Sequence, residues 1–212
     1  GVFADETGDQ PQGGSDINAG DDSKPEIDPD TVHLNGVTEK IPGSSYDAAL
    51  TFADNVYYYR TISDAFKDAI ADDVVTLQRS IALSENLYLY TEVPVTLDLA
   101  GQTLTCGSSR VFTGYDGEKV YSSDITFTDT KGGGKIYATA NQVAVYVSSG
   151  KFTFSGGSIV NTYSPEKTSA YGIYAKRNSE VNITAGSVLA ETAVMAWPAT
   201  VNITGGIIQG TY

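Results

Sequence analysis

Carboxylates are the side chains of this sequence with the most obvious catalytic potential, and four of them lie close together around a long polar insertion. They are Asp116, Glu118, Asp124 and Asp129. If they converged, they could hold a calcium ion or provide the acid and the base of a sugar-cleaving enzyme. No regular spacing relates them, and we interpret them as solvated loop charges rather than as a catalytic or calcium-binding group.

The side chains that most often act as nucleophiles or bind metal ions occur once each. Cys106 is the single cysteine, so no internal disulfide bond can form, and His33 is the single histidine. Because Cys106 alternates with Leu104 between threonines, we interpret it as a small core residue. One histidine without a second histidine or a cysteine is not a metal-binding motif. We therefore predict no catalytic residues, no metal site and no cofactor.

Aromatic side chains give the stronger signal for a binding surface. Three short strands in the second half of the chain alternate between apolar residues and larger side chains. If valine or isoleucine points inward in each strand, Tyr146, Tyr174 and Met195 point outward in one column, and Trp197 follows at a strand end. Flat aromatic rows can stack on sugar rings or form a protein interface. The alternative is a ladder of rings that only stabilises its own sheet.

The element that would position this column is a repeated strand. Two apolar residues at i and i+2 are followed by a turn of small residues and by an apolar residue at i+7. The repeat is anchored by Leu97 and Leu104, Phe152 and Ile159, Val181 and Val188, and Val201 and Ile208. A further strand precedes each late copy, so each unit holds three short strands. Units whose strands are constant and whose connecting turns vary are typical of a coil in which successive three-strand windings stack on one another. We call each winding a rung.

A single amphipathic helix precedes the strands. Ile62, Ala65, Phe66, Ala69 and Ile70 form one apolar stripe at i, i+3, i+4, i+7 and i+8. A hydroxyl side chain at position 61 or 63 can cap its start. We predict the helix at about residues 61–71, lying on an apolar surface because so short a helix is marginal alone. The whole pattern predicts an all-β chain, a right-handed parallel β-helix with three-strand rungs and a short N-terminal cap helix.

Stacking would also bring the polar positions of the first repeated strand into outward columns. One column would hold Asp98, Thr128, Ser155, Thr184 and Thr204, and its neighbour Thr96, Thr126, Thr153, Asn182 and Asn202. A single carboxylate among these positions is not a catalytic cluster. We interpret both columns as hydroxyl and amide ladders on a solvated sheet face.

These features resemble the pectin-lyase-like right-handed parallel β-helix proteins, and most closely their adhesin-like exported bacterial group. The resemblance rests on the segments 61–66, 73–77 and 95–104 and on the Ser/Thr-Gly-Gly turns, and it covers about residues 56–212. It implies that the helix covers the first rung. It does not imply one activity, because this fold hosts lyases, hydrolases, adhesins and phage spikes.

The charge of the chain is unevenly distributed. There are 26 acidic and 13 basic residues, and nine acidic residues fall within positions 1–30 beside one lysine. We predict an acidic flexible leader at 1–30, a transitional segment at 31–55 and the β-helix domain at 56–212. A net charge of −13 disfavours nucleic acid and anionic lipid as partners. No apolar run approaches the roughly 20 residues that span a membrane as a helix, so membrane insertion is not expected.

The sequence therefore favours a non-catalytic binding or adhesion module that is secreted or lies on a bacterial cell surface. The start, Val2-Phe3-Ala4 before Asp5 and Glu6, resembles the end of a signal peptide. The expected partner is a glycan or a cell-surface protein, with further β-helix rungs or a partner at the C-terminal end. Two alternatives stay open: a polysaccharide lyase or glycoside hydrolase of the same fold, and a structural stalk segment of a longer surface protein.

Overall fold

Short strands follow one another along the chain in the computed structural model, which describes residues 45–52, 55–164, 166 and 169–211. The predicted acidic leader at 1–30 and positions 31–44 of the predicted transitional segment lie outside the described residues. The chain first forms β1 (Ala48–Phe52), β2 (Asn55–Tyr59) and the helix α1 (Ile62–Asp68). It continues with β3 (Asp73–Leu77), β4 (Ile81–Ala82), β5 (Leu87–Leu89), β6 (Val95–Asp98), β7 (Thr103–Gly107), β8 (Val111–Thr113), β9 (Asp124–Thr128), β10 (Lys135–Ala138), β11 (Val143–Val147), β12 (Lys151–Phe154), β13 (Ser158–Asn161), β14 (Tyr171–Ala175), β15 (Ser179–Ile183), β16 (Ser187–Ala190), β17 (Thr192–Ala196), β18 (Ala199–Ile203) and β19 (Ile207–Gly210).

The described strands form three sheets, and each rung contributes one strand to every sheet, except that the last described rung, with β18 and β19, has no strand in the third sheet. The first sheet has the order β18-β15-β12-β9-β6-β3-β1-β2, the second β19-β16-β13-β10-β7-β4, and the third β17-β14-β11-β8-β5. From β3 onward, neighbouring strands of each sheet pair in parallel. The prediction of a parallel β-helix with three-strand rungs is confirmed.

Columns of apolar side chains fill the inside of the coil. One column, contributed by the first sheet, consists of fully buried Val75, Leu97, Phe127, Phe154 and Ile183. Burying each such side chain contributes about 1.5–3 kcal/mol. The next member, Ile203, is 53% exposed, since no described strand lies beyond β18 in that sheet. Cys106 belongs to the same core, and burial raises the pKa of its thiol to about 12, which agrees with its interpretation as a core residue.

A hairpin and the helix cover the opposite end of the core. β1 lies within the predicted transitional segment and pairs antiparallel with both β2 and β3, so the first sheet begins upstream of residue 56. The helix packs against β1, β3 and β5 through its buried residues Ile62, Ala65 and Phe66. This arrangement shields the edge of the first parallel strand, which would otherwise be free to pair with another chain.

The two ends of the helix are fixed by side-chain hydrogen bonds. At the start, the Thr61 hydroxyl accepts the backbone N–H of Asp64 at 3.1 Å, as the sequence predicts. The helix ends at Asp68, three residues before the predicted end. Ala69 is already extended, and the Asp73 carboxylate accepts the backbone N–H of Ile70 at 2.9 Å, which turns the chain into β3.

The outward columns of the first sheet follow the predicted register, with one exception. Thr96, Thr126, Thr153, Asn182 and Asn202 stand opposite one another in successive rungs. The amide of Asn202 donates to that of Asn182 at 2.9 Å, so this column includes an amide ladder.

Asp98 is the exception, because it is only 4% exposed. One carboxylate oxygen accepts the backbone N–H groups of Ala100 and Thr130, each at 2.9 Å, and the other accepts the Thr130 hydroxyl at 2.5 Å. The prediction of a solvent-facing Asp98 is wrong, since the loop after β9 folds against the turn after β6 and covers it. The carboxylate ties two successive rungs together.

Replacing Asp98 with alanine should therefore destabilise the fold. Each buried donor left without an acceptor costs about 1–3 kcal/mol, and urea denaturation measures the loss. Asp124→Ala is the matched control, because Asp124 makes only an exposed ion pair with Lys151 at 3.7 Å, worth about 0–1 kcal/mol. Equal losses for the two variants would contradict the structural role assigned to Asp98.

Candidate functional site

The outward side chains of the third sheet form a row of aromatic rings. The register places Tyr88, Phe112, Tyr146 and Tyr174 opposite one another in β5, β8, β11 and β14, and we call these four residues the aromatic strip. Met195 of β17 continues the row beyond Tyr174. The predicted column of Tyr146, Tyr174 and Met195 thus exists. Tyr88 and Phe112 were not predicted as members of this column, although Leu87-Tyr88-Leu89 shows the same alternation.

The rings of the aromatic strip contact one another directly. Centroid separations are 5.1 Å between Tyr88 and Phe112, 5.2 Å between Phe112 and Tyr146, and 5.3 Å between Tyr146 and Tyr174. Interplanar angles of 24°, 40° and 52° show that the first pair of rings is stacked and that the other two pairs are tilted. All four residues are half-buried. The Tyr88 hydroxyl accepts the side-chain amide N–H of Asn86 at 3.2 Å.

Trp197, the remaining predicted binding residue, stands apart from the aromatic strip. It follows the end of β17, where its backbone N–H donates to the carbonyl of Ala175 at 2.8 Å. Its side chain is 70% exposed. No ring contact joins Trp197 to another aromatic residue within the described part of the chain.

A loop at residues 114–121 forms one wall beside the strip. Its Tyr115 ring lies 5.7 Å from that of Tyr88 and 5.6 Å from that of Phe112. The loop leaves β8 at Gly114, which has a φ of +70°. A side chain there would place its Cβ 2.5 Å from the Ser149 carbonyl oxygen, so only glycine fits this close approach.

Asp116 holds the 114–121 loop in its conformation. One carboxylate oxygen accepts the backbone N–H groups of Glu118 at 2.8 Å and Lys119 at 2.6 Å, and the other accepts the hydroxyl of Tyr121 at 2.7 Å. The backbone N–H of Lys119, then the Tyr121 hydroxyl and the backbone N–H of Glu118, lower the pKa of Asp116. The hydrogen bond to Asp116 also raises the pKa of Tyr121 to about 12.

Strip and loop together enclose an open groove of about 370 Å³. Its lining consists of Tyr88, Phe112, Tyr115, Tyr146, Ser148 and Arg177. This volume lies within the usual range of small-ligand sites, and the lining combines apolar rings with few polar groups, as such sites do. Two depressions of similar size lie beside α1, but one is walled by the ion pair of Asp47 with Arg79, and neither is lined by a residue of the strip.

Basic side chains flank the strip on both sides. The Arg110 guanidinium lies 5.7 Å from the centre of the Phe112 ring, just before β8. Lys176, just after β14, places its ammonium 5.1 Å from the centre of the Tyr174 ring. Burial lowers the pKa of Arg110, whereas the electrostatic effect of Tyr146 raises that of Lys176.

The four acidic residues around the insertion do not converge. Asp116 accepts backbone N–H groups of its own loop, Asp124 forms an ion pair with Lys151, and Glu118 is exposed. Asp129 accepts the backbone N–H groups of Gly101 at 2.7 Å and Gly134 at 2.6 Å, which locks the turns of two rungs. Among the described residues, no three histidine, cysteine or acidic side chains come together in a way that could hold a metal ion.

Comparison with known proteins adds no further evidence about this surface. No protein-family model matches the sequence, and neither a curated protein nor a solved structure is significantly similar to it. The resemblance to pectin-lyase-like proteins therefore stays a prediction. The described residues include no helix long and apolar enough to cross a membrane.

The role of Asp116 predicts how the 114–121 loop responds to acid. Because its pKa is lowered in the folded protein, the carboxylate stabilises the loop above the usual aspartate pKa of about 3.9. That contribution is lost as the pH falls through the lowered value. An NMR titration of the Asp116 carboxyl carbon and the Lys119 amide should show a common midpoint below the usual range. Asp116→Asn should abolish the amide transition, and a midpoint at or above 3.9 would contradict the assignment.

Proposed function

We propose that this protein is a non-catalytic binding module of a bacterial cell surface and that it binds glycan chains through the aromatic strip. The observation that carries the proposal is an unbroken row of four half-buried rings beside an open groove. Aromatic residues combine apolar area with a polar edge, which suits ligands that are themselves part apolar and part hydroxylated. Sugar rings are such ligands.

The composition of the third sheet supports a binding role over a purely structural one. The first sheet covers its equivalent outward positions with threonine and asparagine, including Thr96, Thr126 and Asn182. The coil therefore stacks well without outward aromatic rings. Exposed aromatic area that the fold does not require is more typical of an interaction surface.

The geometry of the strip suits an extended ligand that runs along the coil. Successive ring centres lie 5.1–5.3 Å apart, a step similar to the length of one sugar unit in an extended polysaccharide. Because the rings are half-buried and contact one another, part of each ring surface is already covered. The hydroxyl groups of Tyr88, Tyr146 and Tyr174 each have a proton that they can donate to a sugar oxygen, and the Tyr88 oxygen already accepts the amide of Asn86.

The cell-surface setting and the adhesion role rest on the sequence alone. They are supported by the likeness of segments 61–66, 73–77 and 95–104 to exported β-helix proteins. Among the described residues, no observation favours a lyase or a hydrolase. The carboxylates of Asp98, Asp116 and Asp129 accept backbone N–H groups and hold loops and turns. A structural stalk segment would bind nothing by itself, so a binding experiment separates it from the proposal.

The proposal is tested by removing two central rings together. Tyr146→Ala combined with Tyr174→Ala should weaken binding to a polysaccharide selected from an array by at least about tenfold, which corresponds to 1.4 kcal/mol. Isothermal titration calorimetry measures the affinity, and circular dichroism with thermal unfolding checks that the variant folds.

Tyr137→Ala is the matched control, because Tyr137 is a half-buried, outward tyrosine of the second sheet. It should leave the affinity unchanged. A folded double variant that binds as tightly as the unmodified protein would refute the site. An unmodified protein that binds no polysaccharide on the array would refute glycan binding.

A further inference from the structure

Three cations surround the aromatic strip in a protein that is acidic as a whole. The chain has a net charge of −13, yet Arg110, Lys176 and Arg177 all lie on this one surface. The ion pairs of the described residues join Lys67 to Asp64, Arg79 to Asp47 and Lys151 to Asp124. None of them involves the three cations of the strip. Within the described part of the chain, these cations therefore have no carboxylate partner within 4.0 Å.

Arg110 is the clearest sign that an anion belongs here. Its side chain is half-buried against Phe112, and burial is the main cause that lowers its pKa, with only Tyr146 and Tyr88 acting in the opposite direction. A cation that has lost part of its hydration without gaining a negative partner is unfavourable. A ligand that brings an oxyanion would supply the missing partner. A guanidinium can hold a carboxylate or a sulfate through two parallel hydrogen bonds.

Arg177 lies in the tight turn between β14 and β15. Arg177 and Asn178 have φ values of +57° and +56°, and the backbone N–H of Ser179 donates to the carbonyl of Lys176 at 3.1 Å to close the turn. The exposed Arg177 side chain lines the groove together with Tyr88, Phe112 and Tyr146.

The cations are placed on both sides of the strip and on different rungs. Arg110 precedes β8, whereas Lys176 and Arg177 follow β14, two rungs further along the coil. A ligand lying over the rings would meet positive charge on either edge. A polymer with repeated negative groups fits this arrangement better than a single small anion does.

We propose that the ligand of the aromatic strip is an anionic glycan whose carboxylate or sulfate groups are bound by Arg110, Lys176 and Arg177. This inference rests on the glycan-binding function proposed above and specifies its ligand class. The rings contact the sugar, and the three cations select the charged chain over a neutral one. Because the chain has a net charge of −13, the protein as a whole repels such a polymer, and binding depends on these three cations.

Binding to defined polysaccharides tests the inference with the complete chain. The probes are hyaluronate, which carries carboxylates, chondroitin sulfate, which adds sulfates, neutral dextran, and poly-L-glutamate as a charged chain without sugars. Calorimetry at 50 mM NaCl should show binding of hyaluronate or chondroitin sulfate at least about tenfold tighter than of dextran or polyglutamate. Raising the NaCl concentration to 300 mM should weaken the binding of the anionic glycans, because salt screens the attraction between charges. Comparison of the first two probes tells whether carboxylate alone suffices or sulfate is needed.

Removal of the charges gives the second arm of the test. Arg110→Gln and Arg177→Gln together should weaken anionic glycan binding at least about tenfold, and Lys176→Gln should weaken it less. Lys135→Gln is the matched control, because Lys135 lies 5.9 Å from the centre of the Tyr137 ring on another sheet. It should leave the affinity unchanged.

The outcomes separate this inference from the function on which it rests. If dextran binds as tightly as the anionic glycans, and Tyr146→Ala with Tyr174→Ala abolishes that binding, the charge selection is wrong while glycan binding stands. If polyglutamate binds as tightly as hyaluronate and chondroitin sulfate, the ligand class is a charged chain rather than a glycan and both proposals fall. If none of the polysaccharides binds, the glycan-binding function and the selection of anionic glycans are both refuted.

Discussion

The parallel pairing of one rung with the next is the interaction on which the other features of this structure depend. Backbone hydrogen bonds hold equivalent strands at a fixed spacing of about 4.8 Å and prevent them from shifting against one another. Each position of a strand therefore lies above the same position of the previous rung. Fully buried Leu97, Phe127 and Phe154 follow this rule inside the coil, and Thr126 and Thr153 follow it outside. The aromatic strip is another product of the same constraint, because its rings can meet only if three strand pairs keep their register.

Two carboxylates, one buried and one half-buried, join the turns of neighbouring rungs. Asp98 and Asp129 bind backbone N–H groups that lie 28 to 32 residues away, in the turns of the neighbouring rung. These bonds satisfy backbone donors that a tight corner leaves without a strand partner. The same use of a carboxylate recurs in the loop held by Asp116, which carries Tyr115 to the edge of the strip. The acidic residues that first suggest catalysis thus act mainly as acceptors for backbone groups, and the surface most suited to a ligand is aromatic and cationic.

Much of the fold and part of the site followed from local patterns. The repeat anchored by Phe152, Val181 and Val201 predicted the rungs, and strand alternation predicted the column of Tyr146 and Tyr174. Tyr88 and Phe112 were missed because the insertion at 114–121 obscures the repeat between their strands and the later copies. Asp98 was predicted to face solvent because the alternation of a strand shows on which side of the sheet a residue lies and not which loop covers that side. The loop that covers it belongs to the next rung.

The sequence by itself determined which side chains point into the coil and which point out, since the two-residue period of a strand is a local property of the chain. It also determined that the strands stack, because successive units repeat the same apolar spacing. Only the tertiary structure decided what lies over those strands. The antiparallel pairing of β1 with β3, the burial of Asp98 and the position of Arg177 beside Tyr88 and Phe112 join residues that are far apart in sequence. Such contacts depend on the path of irregular turns, which carry no period from which their direction could be predicted.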